Sequence, residues 1–369
     1  FVSSGVAGGT PSDDRDEIRG GGGNDLIDGG GGNDNLTGED GANTVIGGGG
    51  EDDFNSWSGL DRLEGGPGSD TYSLFAAAQV VELPGGGSDR VFFGYDNAVM
   101  PDNVEQGWLQ QFSGAITASG NAQNNDLLGN ERDNVLRGGD GNDTLHGGYS
   151  AGADTLAGDG GNDTLDGNGG ADSLFGGAGI DWLLGGDGAD SLNGGTESDV
   201  MIGGPGDDVY FVGQVGDVVT EGAGGGTDTV RITSAYTEHY VLPDQVERLV
   251  LLGTEPLFAT GNGLDNAITG NSAENVLSGL DGADTLDGGG GPDNLMGGRG
   301  NDVYLVDHIG DALSEAGGDG LDRVEAAIDW TLGADLENLT LTGGGGNAGT
   351  GNGLANLITG DAGADTLRG

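Results

Sequence analysis

The sequence predicts an all-β protein, a parallel β-roll (β-helix) solenoid with glycine-rich turns, interrupted by β-rich connecting modules. Three observations predict it. Glycine supplies 86 of the 369 residues, about three times its usual share of about 7 per cent. A nine-residue period runs through most of the chain, and self-similarity of that kind marks a stacked repeat architecture. Only 34% of the residues are hydrophobic and 5% aromatic, too few for an ordinary globular core of this length. The interior must be thin, and something besides apolar burial must hold it.

The elements follow in order along the chain. Residues 1–73 carry the first run, in which seven units follow without insertion from Pro11 to Ser73, among them GGGGNDLID (20–28) and GGPGSDTYS (65–73). Position six reads Asp16, Asp25, Asp34, Asn43, Asp52, Asp61, Asp70, and position eight reads Ile18, Ile27, Leu36, Val45, Phe54, Leu63, Tyr72. Residues 74–119 form a first connecting module, divergent from the other two and without their second apolar strand; Trp108 and Phe112 imply a different packing partner there. Residues 120–211 hold ten units with a two-residue insertion at Ser150 and Ala151, and their sixth positions are Asn125, Asn134, Asp143, Asp154, Asp163, Asp172, Asp181, Asp190, Asp199 and Asp208. A second connecting module spans 212–260. Five units in 261–305 place Asn266, Asn275, Asp284, Asp293 and Asp302 at position six. A third module spans 306–350, and 351–369 begin a fourth run with Asn356 and Asp365. That run stops inside a new unit, so a piece of a longer protein is expected. Alternation in RLVLLG and NLTLTG predicts strands in the second and third modules, and both re-enter the repeats through TGNGLDN or TGNGLAN.

Each unit reads as a six-residue turn and a three-residue strand. Glycine accepts the positive-φ backbone that so tight a turn demands. Side chains alternate along a strand, so the residue at position eight points inward and its neighbours face water. Two units complete a coil, and coils stack at about 4.8 Å; the 24 units then amount to about twelve coils, roughly 58 Å of elongated solenoid before the modules are added. Stacking sets the Asp of one unit beside the Asp two units on. Such carboxylates repel unless a hard divalent cation lies between them, with carbonyl oxygens of the turns as further ligands. Calcium, which takes six to eight oxygens in flexible geometry, suits this better than magnesium. With no cysteine and three histidines, zinc, copper and iron are disfavoured.

Charge and missing motifs narrow the function. Sixty-two acidic residues stand against eleven basic ones, all Arg, for a formal charge of -51 and a pI near 4.1. Nucleic acid and anionic lipid are repelled by such a chain. No apolar run reaches membrane-spanning length, and the first residues lack the basic and apolar regions of a signal peptide. HExxH, GxSxG and EF-hand patterns do not occur, a GxGxxG match has no strand-to-helix context, and nothing singles out one acidic pair as a glycosidase dyad. No enzyme activity is expected of this chain. His146, His239 and His308 read as residues without a catalytic or metal role. Trp57, at a turn position usually held by Gly, and Trp182, on an outward strand position, are candidates for stacking on a sugar or a neighbouring subunit, against simple packing on a connecting module. Outward threonines such as Thr144, Thr155, Thr164 and Thr285 are too irregular for an ice-binding face.

The units GGAGIDWLL, GGDGADSLN and GDGGNDTLD resemble the GGxGxDxUx nonapeptide of the RTX (repeats-in-toxin), or haemolysin-type, calcium-binding family, over the 24 units. That resemblance implies a parallel β-roll, calcium in the turns, type I secretion and folding outside the cell, in a protein secreted by, or displayed on the surface of, a Gram-negative bacterium. It casts Asp16, Asp25, Asp34, Asp52, Asp61, Asp70, Asp143, Asp154, Asp163, Asp172, Asp181, Asp190, Asp199, Asp208, Asp284, Asp293, Asp302 and Asp365 as metal ligands. Pairs with Asp at both stacked positions are Asp16/Asp34, Asp34/Asp52 and Asp52/Asp70, six from Asp143/Asp163 to Asp190/Asp208, and Asp284/Asp302, for about ten calcium ions. Turns with Asn in place of Asp are expected to bind weakly. Ion binding and folding then become largely one free energy. The function expected is a structural or adhesive element of a surface layer, filament or adhesin, with calcium, further copies of the chain and cell-surface polysaccharide as partners. The alternative is the carboxyl-terminal secretion and folding module of an exoenzyme, a protease, lipase or polysaccharide-modifying enzyme with its active site elsewhere.

Overall fold

A computed structural model describes residues 6–8, 15–111, 113–114, 116–233, 239–315 and 320–369; Phe112 lies outside them. Among the described residues every regular element is a strand, and no helix is long and apolar enough to cross a membrane. The chain divides into two compact units, Phe1–Asp190 with Gly194–Asp199, and Ser191–Asn193 with Val200–Gly369.

In the first unit consecutive strands go alternately to opposite faces, and every pairing is parallel. One face stacks Leu36 on Phe54, Phe54 on Tyr72 and Tyr72 on Val91, and further along Leu127 on Leu145 and Leu145 on Leu165. The alternate strands stack Ile27 on Val45 and Val45 on Leu63 in one sheet, and Leu136 on Leu156 and Leu156 on Leu174 in another. The second unit repeats the arrangement: Tyr210 on Val230, Val230 on Leu249, Leu249 on Ile268, and Ile268 on Leu286. These inward residues, from position eight of the units and from the modules, are almost wholly shielded from solvent. Burial follows directly from the period-two alternation, since strands such as Thr155–Gly160 bury alternate residues.

The strands are longer than three residues in many units. Leu26–Gly31, Thr164–Gly169 and Trp182–Asp187 each run six residues, because glycines after the apolar position pair again once the backbone has turned. Gly68 shows what these glycines permit: its φ is 150°, and a β-carbon there would collide with the carbonyl of Gly50 in the coil below. Coil spacing, and with it the parallel ladder, depends on that close backbone approach.

The connecting modules continue the stacks. Each contributes five strands: Gln79–Val81, Arg90–Phe93, Ala98–Val99, Gln106–Leu109 and Thr117–Ser119 in the first module, for example. The expectation that this module lacks the second apolar strand is therefore corrected. Gln106–Leu109 pairs with Arg90–Phe93, as Arg248–Leu251 pairs with Thr229–Ile232 in the second module. The signal was hidden because Gly107 stands at the inward position where Leu249 stands in that module, with the Met100 sulfur filling the space a side chain there would need. Trp108 packs edge-on against Phe92 at 5.4 Å, with the Arg90 guanidinium 4.1 Å from its ring centre. Trp57 stacks on Phe75 of the same module at 5.4 Å, while Trp182 is half exposed.

Replacing Leu165 by Ala opens a cavity in a one-residue-thick core and should cost about 2–5 kcal/mol, whereas Thr164→Ala, on the exposed side of the same strand, should stay within about 0.5 kcal/mol. Urea unfolding at saturating calcium measures both.

Candidate metal centre

The position-six residues form columns along the turn edges. Each backbone N–H donates to the carboxylate of the residue one coil on: Asp16 N–H to Asp34 Oδ1 at 2.7 Å, Asp34 to Asp52 and Asp52 to Asp70 at 2.8 Å. The same link joins Asp143 to Asp163, Asp154 to Asp172, Asp163 to Asp181, Asp172 to Asp190 and Asp181 to Asp199 at 2.7–2.9 Å. In the second unit it joins Asp208 to Asp228 and Asp284 to Asp302 at 2.8 Å. One oxygen of each carboxylate is thereby satisfied by backbone.

The other oxygen is not. Oδ2 of Asp34, Asp52, Asp70, Asp143, Asp163, Asp172, Asp181, Asp284, Asp293 and Asp302 is buried without a hydrogen-bond donor, as are both oxygens of Asp25. An anionic oxygen stripped of water and of donors is costly to bury. Oδ2 faces a small space beside the first glycine of its own unit. A β-carbon on Gly167 would collide with Asp172 Oδ2 and sit 2.6 Å from the Gly185 carbonyl oxygen, and Gly29 and Gly158 repeat the arrangement around Asp34 and Asp163. Glycine here keeps a cradle open between a carboxylate and backbone carbonyls. A cradle whose nearest polar atoms are carboxylate and carbonyl oxygens fits a hard cation and suits calcium's flexible coordination. The residues present fit calcium.

Not every sequence candidate shares this surrounding. Asp61 has both oxygens occupied, Oδ2 by the Ser56 hydroxyl at 2.6 Å and Oδ1 by the Asn43 amide at 3.0 Å; Ser56 replaces the cradle glycine of that unit. Asp365 accepts N–H groups from Asn347 and Asp361. Asp16 is half-buried, and the second oxygen of Asp154 lies against the Gly147 cradle. Asp190, Asp199 and Asp208 are each buried in the column. Three of the asparagines use an amide donor where a cation would otherwise be needed. Amide groups of Asn125, Asn266 and Asn356 donate to the Val104, Val246 and Leu336 carbonyls of the preceding module, and Asn121, Asn262 and Asn352 of the re-entry sequence donate to the same three carbonyls. The second, third and fourth runs therefore begin with amide donors where elsewhere they have charge.

Sequence reasoning missed Asp89, Asp228 and Asp322, which extend the columns into the modules. They accept from Asp70, Asp208 and Asp302 at 2.8 Å, and their own N–H groups donate to Glu105, Glu247 and Glu337 at 2.8–2.9 Å. The signal was present in GGGSDRV, GGGTDTV and GGDGLDRV, each a glycine turn followed by Asp-x-Val.

Burial, reinforced by neighbouring carboxylates, raises the acids. Asp70, Asp143, Asp172, Asp181 and Asp284 are pushed up to about 7, and burial moves Asp52, Asp163 and Asp302 in the same direction. Of the histidines, His146 lies 3.4 Å from Asp166, whose hydrogen bond raises it, and His239 contacts Thr260 Oγ1 at 2.8 Å.

A family model for the RTX calcium-binding nonapeptide repeat (4 copies) matches residues 12–45, 37–72, 119–148, 150–183, 184–219, 260–304 and 350–369. No curated protein matches the chain.

Without cation, the folded chain holds protons between about pH 4 and about pH 7 that the unfolded chain has lost, so its stability should fall as pH rises through that window. Calcium must displace those protons, so lowering pH from about 7.5 to about 5.5 should reduce the stability that a given calcium concentration adds, read by urea unfolding followed through tryptophan fluorescence. Asp172→Asn should show opposite signs: more stable than wild type in chelator, where it removes a buried charge, and weaker in calcium binding.

Proposed function

The chain belongs to the RTX calcium-binding nonapeptide-repeat family, and on that premise we propose that it is an extracellular structural or adhesive element that becomes rigid when calcium fills its turns. Calcium supplies the positive charge that the inward carboxylates lack. The protein's part is to hold a backbone-anchored carboxylate, an open glycine cradle and turn carbonyls at each rung, and to repeat them at every coil. Asp34, Asp52, Asp70, Asp143, Asp163, Asp172, Asp181, Asp284 and Asp302 are the residues we assign to the ions; Asp61, already paired with Ser56 and Asn43, we leave out.

Proteins of this family are typically secreted by Gram-negative bacteria, and we place this chain in that setting. Calcium affinities in the extracellular range of about 10⁻⁴ to 10⁻³ M would keep such a chain unfolded in a calcium-poor cytosol. The observation that carries the structural reading is that the connecting modules are built into the same parallel stacks as the repeats. In each unit the modules thus extend the same parallel ladder as the repeats, and the edge of such a ladder can pair with a further copy. Half-exposed Trp182 is the residue we assign to a contact with polysaccharide or a neighbouring copy.

Equilibrium dialysis should find about ten or more calcium ions per chain, and light scattering with electron microscopy on the same samples should show filaments or layers appearing with calcium. Particles that stay strictly monomeric at high calcium would count against assembly while leaving calcium binding intact.

A further inference from the structure

Three places in the chain depart from the nonapeptide pattern in the same way. Tyrosine occupies position eight only in the last unit of each of the first three runs: Tyr72, Tyr210 and Tyr304. A glutamate follows in the connecting module, Glu82, Glu221 and Glu315, and then an aspartate, Asp89, Asp228 and Asp322. The set persists even in the first module, where much else has diverged.

Register explains where the glutamate goes. Glu64 pairs with Val81, Ile202 with Thr220 and Met296 with Ser314, so the next residue of each module, the glutamate, stacks on Gly65, Gly203 or Gly297. It stands where a repeat would place its own first glycine, and adds a carboxylate to a cradle elsewhere lined by a glycine carbonyl. The phenol donates a hydrogen bond to this carboxylate in all three places: Tyr72 to Glu82, Tyr210 to Glu221 and Tyr304 to Glu315. Each tyrosine ring is inside the core, so its hydroxyl fixes the glutamate from beneath.

Three carboxylates then converge. Oxygen atoms of Asp70, Glu82 and Asp89 lie within 4.8 Å of one another, and so do those of Asp208, Glu221 and Asp228, and of Asp302, Glu315 and Asp322. Glu82 is 6% exposed and Asp70 and Asp89 1% each, so water does not screen them. Oδ2 of Asp70 and of Asp89 has no donor, nor has Oδ2 of Asp228 or Asp302. The cradle glycine is again indispensable: a β-carbon on Gly65 would collide with Glu82 Oε1, Tyr72 Oη and Asp70 Oδ2 together, and one on Gly203 with Tyr210 Oη and Asp208 Oδ2. No histidine is part of any of the three groups.

We propose that these junctions are three calcium sites of a second kind, each built from two column aspartates and a module glutamate, that take calcium before the ordinary turns and tie each connecting module to the run before it. Calcium affinity rises with the number of charged ligands and the rigidity of the site. The junction offers three carboxylates where an ordinary rung offers two, and its glutamate is held by a buried tyrosine, a positioning contact of the kind that commonly sets metal affinity. The geometry also gives polarity to the second and third runs: amide donors where each begins, a three-carboxylate cation site where it ends. This inference rests on calcium binding by the repeats and adds an order of filling.

The test compares the full chain with E82Q/E221Q/E315Q, whose amides keep the size of the glutamates. In calcium dialysis the wild type should show about three ions bound ahead of the rest, and the triple variant should lose that class, its junctions binding about ten- to a hundredfold more weakly. Its calcium midpoint for folding should rise while its ordinary turns still fill. If the clusters hold no ion, removing a carboxylate relieves repulsion, and the midpoint should fall or stay put with the ion count unchanged; that result overturns the inference. Wild type that binds no calcium at all would instead overturn the proposed function. Should the triple variant not fold at any calcium concentration, the single variants decide, each losing one early ion or none. Tyr72→Phe should weaken the first junction alone, and E82D with Tyr72 in place should weaken it too, because the shorter side chain does not reach the phenol.

Discussion

The rest of this molecule depends on a column of buried carboxylates that have too few hydrogen-bond donors. Most position-six aspartates, Asp52, Asp163 and Asp302 among them, are fastened at one oxygen by the backbone of the preceding coil, which fixes both the rotamer and the stacking register. The price of that anchoring is a second oxygen turned into a dry, oxygen-lined cradle. A chain with a formal charge of -51 cannot spread this cost over neighbouring cations, since it has only eleven arginines, and the ion pairs they make, such as Arg19 with Glu17 and Arg323 with Glu325, lie on exposed strand faces. A divalent ion is the charge the fold is shaped to receive.

Apolar burial plays a smaller part than in a globular domain. Each nonapeptide sends one side chain inward, and the stacks of leucine and isoleucine are a single residue wide. Glycine then does two separate jobs. At positive φ it lets one coil's backbone lie against the next, as at Gly68, and at the first position of the unit it leaves the space in which a carboxylate oxygen and a carbonyl oxygen face each other, as at Gly167. Where the first position is Ser56 instead, the hydroxyl takes the oxygen of Asp61 and the rung closes on itself. Departures from the pattern are thus local changes in how one carboxylate is satisfied.

Most of the fold was legible because period nine and period two coincide: every position-eight residue had to be inward, and every position-six residue had to stack on another. The modules were less legible. Gly107 broke the alternation that reveals Arg248–Leu251 and Asn338–Leu341, and only Met100, seven residues earlier, explains how the coil is still filled. Asp89, Asp228 and Asp322 were overlooked because each lies in a glycine turn one or two residues out of step with the nonapeptide count. The asparagines at the starts of runs were visible as exceptions, but their reason, amides reaching the carbonyls of Val104, Val246 and Leu336, required knowing which module lies below them.

The central claim is that filling the carboxylate columns and folding the chain are one event. Far-UV circular dichroism from chelator to about 10 mM calcium, in the extracellular range and above, with magnesium as control, tests it most directly. The account predicts a disordered spectrum in chelator, a cooperative change to β-structure with calcium, and no comparable change with magnesium. A β-rich spectrum in chelator at neutral pH, unchanged by calcium, would contradict it.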